Sequence, residues 1–279
     1  MVFYFHQELK QTEVHFNYPL LMKFFISNCL FILLLGCSSA QKESEITQTL
    51  ETKKTKVLMI GNSFTFYWNL PQVIERMLQE NGLNFEITQE TVGGSKLKMH
   101  WGFNSENNYK IKDYDCVIFN DHSTYPLMEI DTSSKYINLF CSLAKKHNVE
   151  PYIFGTWEYE MLKQISQKSN RNTMSILDSL SQVNEAIYVP VGNAFKLAES
   201  KYPELDLFMD DNKHPSPNGT YLAACVFYSM LSKQSCLGVA KRFVGEDING
   251  KKIYYIITET EASKKCQEIA DLVTAPLRN

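Results

Sequence analysis

The sequence predicts an α/β fold: a three-layer α/β/α sandwich around a central, mostly parallel five-stranded sheet. Two observations predict it. Short continuous apolar runs alternate with segments whose apolar residues recur at helical spacing, and the first three runs each end in a turn that carries small or polar residues.

Val57-Leu58-Met59-Ile60, bounded by Lys56 and Gly61, reads as a short buried strand. A tight Gly61-Asn62-Ser63 turn follows, and then Leu70, Val73, Ile74, Met77 and Leu78 at helical spacing. Ser63 therefore falls at a strand-to-helix turn, where a parallel sheet exposes a side chain in its crevice and backbone N–H groups can meet an anion. Phe85 to Thr91 is the second strand, leading into Gly93-Gly94, and Cys116 to Phe119 is the third, leading into Asn120. Ile137, Phe140, Cys141 and Ala144 share one helical face. Tyr152 to Gly155 is the fourth strand, shortly before Trp157, and Ile187 to Val191 is the fifth, with Leu177, Leu180 and Val183 supporting a helix between them. Tyr221 to Leu231 is apolar nearly all round, as in a buried helix. Ile253 to Ile257 is strand-like, and Thr258-Glu259-Thr260-Glu261 predicts a capping box opening a last helix with Ala262, Cys266, Ile269 and Val273 inward. These last elements are expected as an edge addition to the same domain.

Asp211 and His214 are three residues apart, close enough for the carboxylate to hold one ring nitrogen while the other faces a hydroxyl. With Ser63 they give the nucleophile, acid and base of a serine hydrolase in the order Ser, Asp, His. Ser216 and Pro217 also form a helix-start signal, and a capped helix there would pin the loop carrying His214.

The chain at this point resembles the SGNH hydrolases, also called the GDSL lipase or esterase superfamily. Gly61-Asn62-Ser63-Phe64-Thr65 is similar to the nucleophile block, with Asn62 where the family often has Asp. Val92-Gly93-Gly94-Ser95 resembles the glycine block, Val117-Ile118-Phe119-Asn120-Asp121 the third block with Ile118 in place of its glycine, and Asp211-x-x-His214 the last. The resemblance runs from about Lys56 to Leu231 and implies the flavodoxin-like SGNH fold, a Ser63–His214–Asp211 triad and no cofactor. It also implies an oxyanion hole from the N–H groups of Ser63 and Gly94, with Gly93 the alternative, and the Asn120 amide.

The chain of 279 residues, with 44% hydrophobic content, suits a globular domain over 56–279. A formal net charge of -3 leaves no basic footprint, so nucleic acid is not an expected partner. Met22 to Gly36 has the short basic start and apolar run of a secretory signal. Leu34-Leu35-Gly36-Cys37 resembles a bacterial lipobox, which implies lipidation at Cys37 and an exported lipoprotein anchored to a membrane. Residues 1–21 are expected to precede the true start at Met22, and the polar stretch 37–55 to serve as a flexible tether.

Of seven cysteines, Cys29 and Cys37 belong to the signal; the other five lack C-x-x-C spacing. Neither a zinc site nor a disulfide framework is predicted, although an oxidising compartment could join Cys236 to Cys266. Cys116, Cys141 and Cys225 read as small core residues. His122 reads as a pocket or surface residue without a proton-transfer role, and His100 as a candidate substrate contact. Neither pairs with carboxylates at metal-ligand spacing, so no metal is expected.

Aromatic residues cluster after the strand ends. Trp68, Trp101 and Trp157 are taken as substrate-binding, with Phe64, Tyr67 and Tyr125 nearby. The function expected is hydrolysis of acetyl or other short acyl esters of carbohydrates. A lysophospholipase or thioesterase, or a glycan-binding lipoprotein on a retired hydrolase scaffold, are the alternatives.

Overall fold

The computed structural model describes residues 53–103 and 110–278. The expectations for residues 1–21, the signal over 22–36, Cys37 and nearly all of the tether lie outside the described residues.

The first strand, β1 (Thr55–Gly61), ends at the Gly61-Asn62-Ser63 turn; α1 (Ser63–Phe66), one turn long, and a 3-10 turn over Tyr67–Asn69 then lead into α2 (Leu70–Glu80). The apolar stripe on α2 is buried, as its spacing requires. Next come β2 (Phe85–Thr91), α3 (Leu97–Phe103), β3 (Cys116–Phe119), α4 (Tyr125–Met128), α5 (Ile130–Lys146) and β4 (Glu150–Phe154). The chain continues through α6 (Glu160–Ser169), α7 (Thr173–Val183), β5 (Ile187–Val189), α8 (Val191–Lys201) and α9 (Pro217–Ser232). It closes with β6 (Arg242–Glu246), β7 (Lys252–Ile257) and α10 (Thr260–Thr274).

Five strands form one sheet in the order β2-β1-β3-β4-β5, and every pairing is parallel. Alternate residues of each strand point to opposite faces, so the core divides in two. Val57, Met59, Cys116, Ile118, Tyr152 and Phe154 face a core shared with α2, α8 and α9. Leu58, Ile60, Val117, Phe119 and Ile153 face the other, shared with α5. Near-continuous apolar strands are the consequence of burial on both faces, which makes the predicted sandwich the observed one.

Helix α9 is buried almost all round because α2 and α8 pack on it from within the layer and α10 covers it from outside. Details of the prediction need correction. The fourth strand starts at Glu150, and the fifth stops at Val189 because Pro190, which lacks an N–H, is the N-cap of α8. Val183 points outward at 79% exposure. The tail does not extend the central sheet: β6 and β7 pair antiparallel as a separate two-stranded sheet. Nor does the expected capping box form, since Glu259 caps α10 without a side-chain bond and Thr258 Oγ1 is buried with no partner among the described residues. The five described cysteines are free and buried, and the Cys236 and Cys266 thiols hydrogen-bond the Gln267 and Asn218 carbonyls instead of joining each other.

Candidate active site

The nucleophile turn begins at Gly61, where a Cβ would stand 2.4 Å from Thr65 Oγ1 and 2.8 Å from Asn120 Cβ. Only glycine permits that approach. Asn62 is extended (φ -129°, ψ -156°), and its Oδ1 accepts the Phe64 N–H at 3.1 Å, which starts α1 at Ser63. The Ser63 Oγ then lies 2.9 Å from His214 Nε2, across 151 residues of sequence.

His214 sits in a loop held from several directions. Its carbonyl accepts the Met209 N–H at 2.8 Å, Ser216 N–H donates to the Leu207 carbonyl at 2.9 Å, and Ser216 Oγ caps α9 by accepting the Gly219 N–H at 3.1 Å. The Asp211 carboxylate accepts the amides of Lys213 and His214 at 3.0 and 2.9 Å, and its other oxygen lies 2.5 Å from His214 Nδ1. A proton on Nδ1 leaves the Nε2 lone pair facing the Ser63 hydroxyl. Burial opposes the charge on Asp211, but these hydrogen bonds outweigh it and hold the carboxyl below its usual value. Two indoles fix the backbone on either side: Trp157 donates to the Lys213 carbonyl and Trp68 to the Pro215 carbonyl, each at 3.0 Å. Tyr67 stacks on the imidazole with centroids 4.2 Å apart, and Phe64 meets it edge-on at 5.7 Å.

The other side of the cleft is a network of buried polar groups. Ser95 N–H closes a turn onto the Val92 carbonyl at 3.0 Å, with Gly94 at φ +66°. Asn62, only 3% exposed, donates its Nδ2 hydrogens to the carbonyls of Ser95 and Asp121 at 3.3 and 3.0 Å. Asn120 Oδ1 accepts the Thr65 hydroxyl at 3.1 Å and the Asn62 N–H at 3.4 Å. Its Nδ2 donates to the Asp121 carbonyl at 3.1 Å, and the second Nδ2 hydrogen has no acceptor among the described residues. The Asp121 carboxylate takes Leu97 N–H at 3.0 Å, His122 N–H at 2.8 Å and the Ser133 hydroxyl at 2.7 Å, tying the starts of α3 and α5 to β3. Burial nevertheless pushes that carboxyl up.

Three residues expected at the substrate make other contacts. Trp157 is 1% exposed and sandwiched between Phe64 (4.4 Å) and Phe195 (4.3 Å), so it braces the His214 loop from the core instead of meeting substrate. Trp101 is half-buried, and its described ring contact is edge-on with Phe140, not with a residue of the site. His100 is buried, with Nε2 at 2.9 Å from the Gly61 carbonyl and 2.8 Å from Ser95 Oγ. Burial lowers its pKa, against the pull of the Gly61 carbonyl and Asp121. Trp68, by contrast, is 38% exposed at the rim.

Half-buried His122 bonds Thr124 Oγ1 through Nδ1 at 2.9 Å. Burial lowers its pKa, helped by the positive charges of Lys213 and Lys96 and opposed by Asp121. Sequence reasoning does not single out those two lysines. Their signal is position: Lys96 follows the glycine block and Lys213 lies within the last block.

No family model matches the chain, and no curated protein does. Solved structures do. A protein from Slackia heliotrinireducens, provisionally described as an SGNH hydrolase, is 23% identical with a TM-score of 0.55, over 63% of this chain and 98% of that one. A DUF4886 family protein from Bacteroides uniformis is 15% identical with a TM-score of 0.59, over 81% of this chain and 96% of the other. An acetyl xylan esterase is 16% identical with a TM-score of 0.52, over 62% and 98%. With its all-parallel five-stranded sheet and Ser63 at the first strand-to-helix turn, the chain has the fold of the SGNH hydrolases.

Proposed function

We propose that the protein is a serine ester hydrolase that removes acetyl or other short acyl groups from carbohydrates. The observation that carries this is the continuous line Ser63 Oγ, His214 Nε2, His214 Nδ1, Asp211 Oδ2, with gaps of 2.9 and 2.5 Å. His214 takes the Ser63 proton as Oγ bonds to the ester carbonyl carbon. The resulting oxyanion is met by the Ser63 and Gly94 N–H groups and the second Asn120 Nδ2 hydrogen. Collapse expels the alcohol, which receives the proton from His214; water then attacks the acyl-serine with His214 as base again, releasing the acid. Asp211 stays ionised throughout and stabilises the imidazolium. The carbohydrate assignment is supported by the exposed Trp68 ring at the rim and by the acetyl xylan esterase among the fold neighbours.

Acetate release from acetylated oligosaccharides and turnover of p-nitrophenyl acetate are expected to fall about 10⁴-fold or more in Ser63→Ala, with the protein still folded. Undiminished turnover in that variant would overturn the serine mechanism. Ser63-dependent cleavage of lysophospholipids but not of acetylated glycans would overturn the substrate class.

A further inference from the structure

Three of the loops that build the site each carry a basic residue directly beside a site residue. Lys96 follows Ser95 of the glycine turn, His122 follows Asp121, and Lys213 precedes His214. The structure brings them to one rim. Lys96 Nζ lies 5.1 Å from the Tyr125 ring centroid, the Tyr125 ring meets His122 edge-on at 5.7 Å, and Lys213 Nζ lies 5.3 Å from the Tyr159 centroid. Both lysines are half-buried, their stems laid over aromatic faces.

Neither lysine has a carboxylate partner among the described residues, whereas Lys53, Lys145, Lys163, Lys201 and Lys265 all do. Two acids beside these lysines in the site loops are already engaged: Asp121 by Leu97, His122 and Ser133, and Asp211 by His214. Two half-buried cations over neighbouring aromatic rings, without a carboxylate partner, are unfavourable in the free protein, and an anion held by both removes that cost. Tyr159 Oη lies 3.5 Å from Ser123 Oγ, next to His122 in the chain, so the two lysine-bearing rings meet at the His122–Tyr125 loop.

We propose that the acylated saccharide carries a carboxylate, as a uronic acid does, and that Lys96 and Lys213 seat it beside the Ser63 cleft. This rests on the carbohydrate reading above. The hydroxyl bearing the acyl group then reaches Ser63 while the carboxylate lies on the Tyr125–Tyr159 side, so the cations set which sugars bind. Neutral sugars have no group to place there.

The test separates binding from catalysis. Folded Ser63→Ala protein is titrated calorimetrically with an acetylated uronic-acid trisaccharide and with an acetylated neutral trisaccharide. The acidic sugar is expected to bind about tenfold tighter at low salt, with the gap closing at about 0.5 M salt as for other charge pairs. Lys96→Gln with Lys213→Gln abolishes the preference, and the corresponding double Arg variant keeps it. Equal binding of the two sugars, no binding of the acidic one, or a preference intact in the double Gln variant overturns the proposal. Acetate release by the wild-type chain is read separately. Selective binding without release would sink the hydrolase reading and leave the cation rim standing; release from both sugars with equal binding would do the reverse.

Discussion

On the His214 side of the cleft, indole N–H groups and stacked rings hold the loop; on the Gly94 side, buried amides, a serine hydroxyl and a histidine do. Trp157 and Trp68 fix the carbonyls before and after His214, and Tyr67 and Phe64 box its ring. Asn62, Ser95, His100 and Asp121 join the ends of β1, β2 and β3 through hydrogen bonds alone. On the proposed hydrolase reading, the difference follows from what each side would do. A base must keep one orientation while it gains and loses a proton, which packing enforces without altering its charge. Oxyanion donors must aim N–H groups at a point in space, which only directed polar bonds accomplish.

The largest test of this contrast is Trp157→Ala. Removing the ring from between Phe64 and Phe195 is expected to cost about 3–5 kcal/mol of stability, with turnover falling as the His214 loop loosens. Trp157→Phe sharpens the point, because it keeps an aromatic ring in the stack while losing the bond to the Lys213 carbonyl and part of the indole's volume, at about 2 kcal/mol. Urea unfolding beside p-nitrophenyl acetate turnover reads both, and a loss below about 1 kcal/mol for Trp157→Ala would mean the aromatic side is not held by packing.

On the polar side, Asn62→Asp removes two donated hydrogen bonds and sets a carboxylate against the Ser95 and Asp121 carbonyls. The expected cost is about 2 kcal/mol, with a fall in kcat exceeding the fall in affinity. An Asn62→Asp variant as stable and active as the parent would show that Asn62 does not bridge the blocks. The smallest effect separates the two glycines. Gly94→Ala forces a side chain onto φ +66° at about 1 kcal/mol, whereas Gly93→Ala meets open space at an unstrained φ. Equal losses in thermal melts for the two would show that the positive φ of Gly94 does not strain the alanine variant.

Much of the site is legible in the sequence because its parts lie on short local signals. Ser63 follows a four-residue apolar run, and Asp211 and His214 are close enough in sequence to pair directly. The fates of Trp157, Trp101 and His100 are not legible. Each lies near a strand end, where a ring can turn toward the cleft or into the core, and nothing local chooses between them. Phe195, 38 residues after Trp157, and Phe140, 39 after Trp101, supply the partners that draw those rings inward. The tail escapes a sequence reading for a related reason: strand propensity in Ile253 to Ile257 says nothing of which strand it pairs with, and β6 is its partner.

The sequence by itself determined the sandwich and the nucleophile turn, because burial on both sheet faces and a strand-to-helix turn are written in residues that are neighbours along the chain. Only the tertiary structure decided which aromatics brace and which stay at the rim, and that Lys213 lies over the Tyr159 ring. Those outcomes depend on contacts between segments far apart along the chain, from the 38 residues between Trp157 and Phe195 to the 54 between Tyr159 and Lys213, and no local pattern encodes such a meeting.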